Sequence, residues 1–127
     1  QYQFVVPDNA SYLIKQTLET LRRFSVPSFL TVLKRFGSAN PAYLSFPIPG
    51  WTLAIDIPAN IDNLNKELNK LDELIVDAGG RIYLAKDSRQ SSKVFKKSYP
   101  RIKDWLKVKK ELDPNNIFMS DSFKRLL

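Results

Sequence analysis

The sequence predicts an α+β domain of 127 residues in which strands and helices alternate as βαββαβ, the split ferredoxin-like order that gives an antiparallel sheet with two helices on one face. Two segments, one around Ile14 to Phe24 and one from Ile61 to Ile75, repeat apolar residues every three or four positions, the spacing of a helix with one buried stripe. Four short runs rich in aromatic and β-branched residues flank them, and proline or glycine punctuates most junctions. With 43% hydrophobic and 26% charged residues, the composition is that of one domain with an ordinary core.

Tyr2 to Val6 is the first strand, ended by Pro7 and Asp8. Asn9 or Ser11 can cap a helix on which Ile14, Leu18, Leu21 and Phe24, or Leu13, Thr17, Leu21 and Phe24, share a face, and Pro27 stops it. Phe29 to Phe36 is the second strand, and Gly37 to Gly50 is a polar loop with glycine and proline. Trp51 to Ile57 makes the third strand, closed by Pro58. Asn60 or Asp62 can cap the second helix, whose apolar residues are Ile61, Leu64, Leu68, Leu71 and Ile75. Gly79 suits the left-handed position after a helix, and Arg81 to Ala85 is the fourth strand.

Residues 1–85 complete this unit, and residues 86–127 form a basic helical tail. Ser91 to Tyr99 and Arg101 to Leu112 read as two further helices, separated by Pro100 and ended by Asp113 and Pro114. Val94, Phe95, Ile102, Trp105, Leu106 and Val108 are too many apolar residues for one exposed face, so the tail must pack on something. Residues 1–85 carry eight basic and eight acidic side chains, so the whole net charge of +7 resides in the tail. Such a tail suits an anionic partner, although most of these lysines read as a solvated helix face.

Two absences remove whole classes of chemistry. Without cysteine there is no disulfide, thiolate nucleophile or cysteine-based zinc site, and without histidine there is no Ser-His-Asp triad or imidazole metal ligand. No metal site is expected. No apolar run approaches the roughly 20 residues that span a bilayer. The chain begins at Gln1 and enters a strand at once, which reads as a segment of something longer.

Chemistry concentrates at Ala85, Lys86, Asp87, Ser88, Arg89, directly after the fourth strand and its Gly79-Gly80 turn. A lysine at a strand end is held by rigid backbone while its amine reaches a cleft, which suits proton transfer or the gripping of a hydroxyl. The blocks Gln1 to Pro7, Lys34 to Gly37, Leu44 to Trp51, Ala85 to Arg89 and the Asp113, Pro114, Phe118 ending together resemble the carboxy-terminal part of FAD-dependent sugar oxidases of the vanillyl-alcohol-oxidase type. Within that group the chain is similar to the branch that oxidises polyprenyl-phosphate ribose, beside the aldonolactone oxidases.

The resemblance implies a two-domain flavoenzyme in which a preceding amino-terminal domain binds most of the FAD and the tail packs toward that domain. It implies oxidation of a secondary hydroxyl of a sugar or a polyprenyl-phosphate sugar by hydride transfer to FAD. It assigns Lys86 as the catalytic lysine, Tyr83 as a flavin contact, and Gln1, Gln3, Lys34 and Phe36 as substrate-side residues. The expected location is the cytoplasm or the periphery of the inner membrane, and a chain without cysteine fits reducing and oxidising compartments alike. Where the polyprenyl-phosphate ribose branch has an asparagine and a cysteine facing the site, this chain has Thr52 and Ala54, so the polarity of the pocket differs.

The pattern alone offers plainer readings for some of these residues. Tyr83 alternates with Ile82 and Leu84 and suits sheet packing, and Gln1 and Gln3 suit the exposed face of an edge strand. Lys34 and Arg35 point oppositely in a strand, and the resemblance selects Lys34 for the pocket. Trp51 and Trp105 read as core or interdomain packing. A basic βαββαβ unit is also the plan of an RNA-recognition module, but Trp51 to Ile57 holds one aromatic and an acid where such a module wants several aromatics, so no nucleic-acid partner is expected. A non-catalytic module whose basic tail touches anionic lipid is the remaining alternative.

Overall fold

The computed structural model describes residues 1–28 and 30–127; Phe29, expected to open the second strand, lies outside the described residues. The elements are β1 (Tyr2–Val6), α1 (Tyr12–Arg23), β2 (Thr31–Phe36), β3 (Gly50–Ile55), α2 (Leu64–Asp77), β4 (Arg81–Ile82), α3 (Ser92–Ser98), α4 (Ile102–Leu112) and α5 (Asp121–Leu126). The four strands pair antiparallel in the order β2-β3-β1-β4, the ferredoxin-like arrangement the pattern predicts. Among the described residues no helix is long and apolar enough to cross a membrane.

Register follows from one-sided burial. Tyr2, Phe4 and Val6 of β1 lie opposite Ile55, Leu53 and Trp51 of β3, and Phe4 also faces Ile82 of β4. These residues meet Leu13 and Leu21 of α1 and Leu64, Leu68, Leu71 and Ile75 of α2 in one core. Phe4 and Ile75 have no exposed surface at all, and each such side chain stabilises the fold by about 1.5–3 kcal/mol. Trp51 packs half-buried against the same core, beneath the Arg35 guanidinium.

Several boundaries differ from the expected ones. The second helix begins at Leu64, three residues after Ile61, because Asn63 adopts a left-handed conformation (φ 60°) and breaks the turn before it. Asn63 itself, not Asn60 or Asp62, stands at the cap position, and its side chain makes no capping bond. β3 ends at Ile55, before Ile57. β4 holds only two of its five expected residues, because α3 occupies its outer edge: Ser98 Oγ accepts from the Ile82 N–H (3.3 Å) and the Tyr99 hydroxyl donates to the Ile82 carbonyl (2.7 Å). These bonds satisfy the edge that another strand would have paired. The chain then tightens into a 3₁₀ turn over Leu84–Lys86.

The tail packs on the sheet unit. Val94 of α3 enters the main core, while Phe95, Tyr99, Ile102 and Leu126 form a second cluster with Trp105 and Leu106 at its side. The six-residue α5, which the sequence pattern does not announce, is capped by Ser120, whose Oγ accepts from the Phe123 N–H.

Gly50 opens β3 with φ 144°, and a Cβ there would lie 2.1 Å from the Val6 carbonyl oxygen. Strained backbone and a backbone clash thus act together. Gly50→Ala is expected to lower the unfolding free energy by about 3 kcal/mol with little change in denaturant slope, measured by urea unfolding. A loss under about 1 kcal/mol would show that β1 and β3 separate easily at this end.

Candidate active site

Strand alternation puts Gln3 and Val5 of β1, Thr52 and Ala54 of β3, and Val32, Lys34 and Phe36 of β2 on the sheet face turned away from the helices. Tyr83, whose N–H donates to the Gln3 carbonyl (2.9 Å), extends this face beyond β4. The central strands carry no aromatic here, so the face lacks the stacking platform of an RNA-recognition module.

The loop between β2 and β3 folds back over part of this face. Arg81 donates to the Ser45 carbonyl, and the Phe46 ring stacks on Tyr83 with centroids 4.5 Å apart while meeting Phe36 edge-on at 5.7 Å. Further out, Arg101 donates to the Pro41 carbonyl (2.6 Å) and lies over the Tyr43 ring. The result is a hollow of about 640 Å³ lined by Gln3, Phe36, Ser45, Phe46, Tyr83 and Trp105. Its wall is largely aromatic. Among the described residues the buried Ser45 hydroxyl has no hydrogen-bond partner.

A second cavity, of about 300 Å³, is lined by Gln1, Tyr2, Ile57, Lys86, Asp87 and Arg89 among others. The structure therefore brings Gln3, Phe36 and Tyr83 together in one hollow and Gln1 with Lys86 in another. The two are joined by the backbone of the 3₁₀ turn, in which the Lys86 N–H donates to the Tyr83 carbonyl (3.2 Å). Lys34 lies exposed on the Gln3 face, cross-strand from Thr52, and lines neither cavity.

The segment carrying Lys86 is pinned on both sides. Asp87 Oδ1 accepts from the N–H groups of Arg89 (2.9 Å) and Gln90 (2.8 Å), and Asp87 Oδ2 accepts from Arg125 of α5 (2.7 Å). Arg125 also donates to the Gln90 carbonyl at 2.5 Å. Burial opposes the Asp87 charge, but the bonds from Arg125, Arg89 and Gln90 outweigh it and hold the carboxyl below its usual range. Arg89 donates to Asp72 Oδ1 (3.1 Å) and to Asn69; its other nitrogen lies 2.8 Å from Asp72 Oδ2, close enough to pair ionically but off the line of a hydrogen bond.

The Tyr2 hydroxyl also donates to Asp72 Oδ1 (2.8 Å). Burial raises the Asp72 carboxyl more than Arg89 and Tyr2 lower it, and burial with the Asp72 charge pushes the Tyr2 phenol well above its ordinary value. Tyr2 remains a donor.

Sequence reasoning missed Ser45, Phe46 and Arg125. The first two fall inside the Leu44 to Trp51 block, but nothing local shows that this loop returns to the sheet. Arg125 looks like any basic residue of a polar tail.

Residues 57–126 match the D-arabinono-1,4-lactone oxidase family. The chain belongs to that family, a family of oxidoreductases. Over 126 residues it is 43% identical to decaprenylphosphoryl-β-D-ribose oxidase of Mycolicibacterium smegmatis, an alignment covering 99% of this chain and 27% of the relative. It is 41% identical over 95 residues to an uncharacterized Streptomyces coelicolor protein, covering 75% of this chain and 26% of that protein. L-gulono-1,4-lactone dehydrogenase of Mycobacterium tuberculosis is 22% identical over 130 residues, covering all of this chain and 30% of that enzyme. The chain thus spans about a quarter to a third of the length of these relatives.

Asp87 supplies a pH test of the pinned segment. Its native carboxyl titrates below the unfolded value of about 3.9, so its stabilisation is complete above that pH and is lost as pH falls through the native value. Asp87→Asn is expected to cost about 1–3 kcal/mol in urea unfolding at pH 7, with a smaller difference at pH 3. Equal losses at both pH values would mean that the charge itself contributes nothing.

Proposed function

We propose that this chain supplies the substrate-facing side of an FAD-dependent oxidoreductase that oxidises a secondary hydroxyl of a sugar or sugar-phosphate derivative. The observation that carries the proposal is the gathering of Gln3, Phe36 and Tyr83 about one hollow in a chain of this oxidase family. The residues fit one side of a flavin and its substrate. The aromatic wall of Phe36, Phe46 and Tyr83 suits the edge of a planar ring, and the unpartnered Ser45 hydroxyl suits a polar group beside it. The phosphates and adenine need other hands. The four glycines of this chain form no glycine-rich cradle, so an FAD-binding domain is the partner this proposal requires.

FAD, when bound, accepts the hydride that leaves the carbinol carbon. The chain's own side chains orient the alcohol and manage its proton. Gln1 and Gln3 bond sugar hydroxyls, Phe36 packs on an apolar face of the sugar, and Lys34, exposed on the Gln3 face outside both cavities, offers a cation for an anionic substituent. Lys86 acts on the reacting hydroxyl either as a neutral amine that takes its proton or as an ammonium that holds its oxygen. Pinning by Asp87 and Arg89 limits where that amine can go. Thr52 and Ala54 stand on the Gln3 face where the polyprenyl-phosphate ribose branch has an asparagine and a cysteine, so the substrate is open to other sugar or polyol derivatives.

Two measurements test this reading. In the flavin-loaded protein that carries this chain, Lys86→Ala is expected to slow flavin reduction by substrate about 10²- to 10⁴-fold in stopped flow while FAD stays bound. A pH–rate profile separates the two roles of Lys86, because a base leaves a rising limb and an ammonium a falling one. Near-normal bleaching in the variant sinks the assignment. The 127-residue chain alone is expected to bind FAD more weakly than 1 μM, about 8 kcal/mol, by calorimetric titration. Tighter binding would make the chain a self-sufficient flavoprotein.

A further inference from the structure

Thr52 lies on the site face of β3, almost fully buried, between Val5 of β1 and Lys34 of β2. Its hydroxyl makes two bonds. Thr52 Oγ1 donates to the Phe4 carbonyl at 2.8 Å and accepts from Gln3 Nε2 at 3.1 Å. A hydroxyl has one proton, and a backbone carbonyl can only accept. The Thr52 proton is therefore committed to Phe4, and only a lone pair remains for Gln3. That choice dictates which end of the Gln3 amide turns inward: the NH₂ group faces Thr52, and the carbonyl oxygen Oε1 is left without a partner among the described residues, on a side chain that lines the hollow.

We infer that Thr52 is a specificity-determining positioning residue, which presets the Gln3 amide so that Oε1 meets the ligand as an acceptor. The group bound at Gln3 must then be a hydrogen-bond donor, such as a sugar or lactone hydroxyl, and a ligand oxygen lacking a proton is disfavoured there. This rests on the reading of the hollow as the substrate side of a sugar oxidase, but the relay itself does not. Rigid setting by a buried β-branched residue means that the ligand does not spend binding energy turning the amide.

Thr52→Val keeps the shape and removes the hydroxyl, while Thr52→Ser keeps the hydroxyl. In the 127-residue chain, two-dimensional ¹⁵N–¹H spectra are expected to show the Gln3 side-chain NH₂ pair shifted and slow to exchange in the wild type and in Thr52→Ser. In Thr52→Val the pair is expected at the positions of an exposed glutamine. A Gln3 NH₂ pair unmoved by Thr52→Val overturns the relay. In the flavin-loaded protein that carries this chain, L-gulono-1,4-lactone serves as the probe. Thr52→Val is expected to raise KM roughly tenfold while kcat falls less than threefold, with Thr52→Ser restoring KM. A fall in kcat with unchanged KM overturns the positioning role. If the wild type oxidises no lactone or sugar, the oxidase reading fails, and the spectra still decide the relay.

Discussion

Strand β1 is paired on both sides, and the alternation of its side chains governs both the core and the candidate site. Tyr2, Phe4 and Val6 go under the helices because α1 and α2 offer apolar surface there, and Gln3 goes to the other face because the strand period allows nothing else. A slip of one residue would bury Gln3 beneath α2 and expose Phe4. The cost of stranding an amide in that core, added to the loss of Phe4 burial, keeps the register in place. The candidate site is therefore the reverse side of the hydrophobic core, fixed by the same pairing.

The segment after β4 is held by charge. Asp87 and Asp72 are both largely withdrawn from water, yet their carboxyls shift in opposite directions. Asp87 collects two backbone N–H groups and a guanidinium, enough to favour its ionised form. Asp72 sits deeper, shared by Arg89 and Tyr2, and there burial outweighs its partners. The Asp72 pair ties the loop to α2 and β1 at a desolvation cost, and its value is geometric more than energetic. Removing one partner would leave a buried charge alone. Lys86 immediately precedes these two pins.

A division of labour emerges between a stiff sheet face and a pinned turn. The face carries an aromatic wall with amide and hydroxyl groups, and the turn carries Lys86 beside the second cavity. The chain belongs to the D-arabinono-1,4-lactone oxidase family, a family of oxidoreductases.

Sequence alone determined the parts that depend on neighbours in the chain. The period-two alternation of Tyr2 to Val6, the helical spacing through Leu64, Leu68, Leu71 and Ile75, and the left-handed Gly79 (φ 82°) are local signals, and the fold class comes from their order. The side of the sheet taken by Gln3, Lys34 and Phe36 was legible in the same way once the register was set. Tertiary structure decided what depends on distant partners. β4 stops at Ile82 because Ser98 and Tyr99 reach back across sixteen and seventeen residues to its edge, and Phe46 closes the hollow because its loop returns to Tyr83. Arg125 steadies the Lys86 segment across thirty-eight residues. No local pattern records these contacts, because each forms only after the sheet and helices have brought remote backbone and side chains within hydrogen-bonding range.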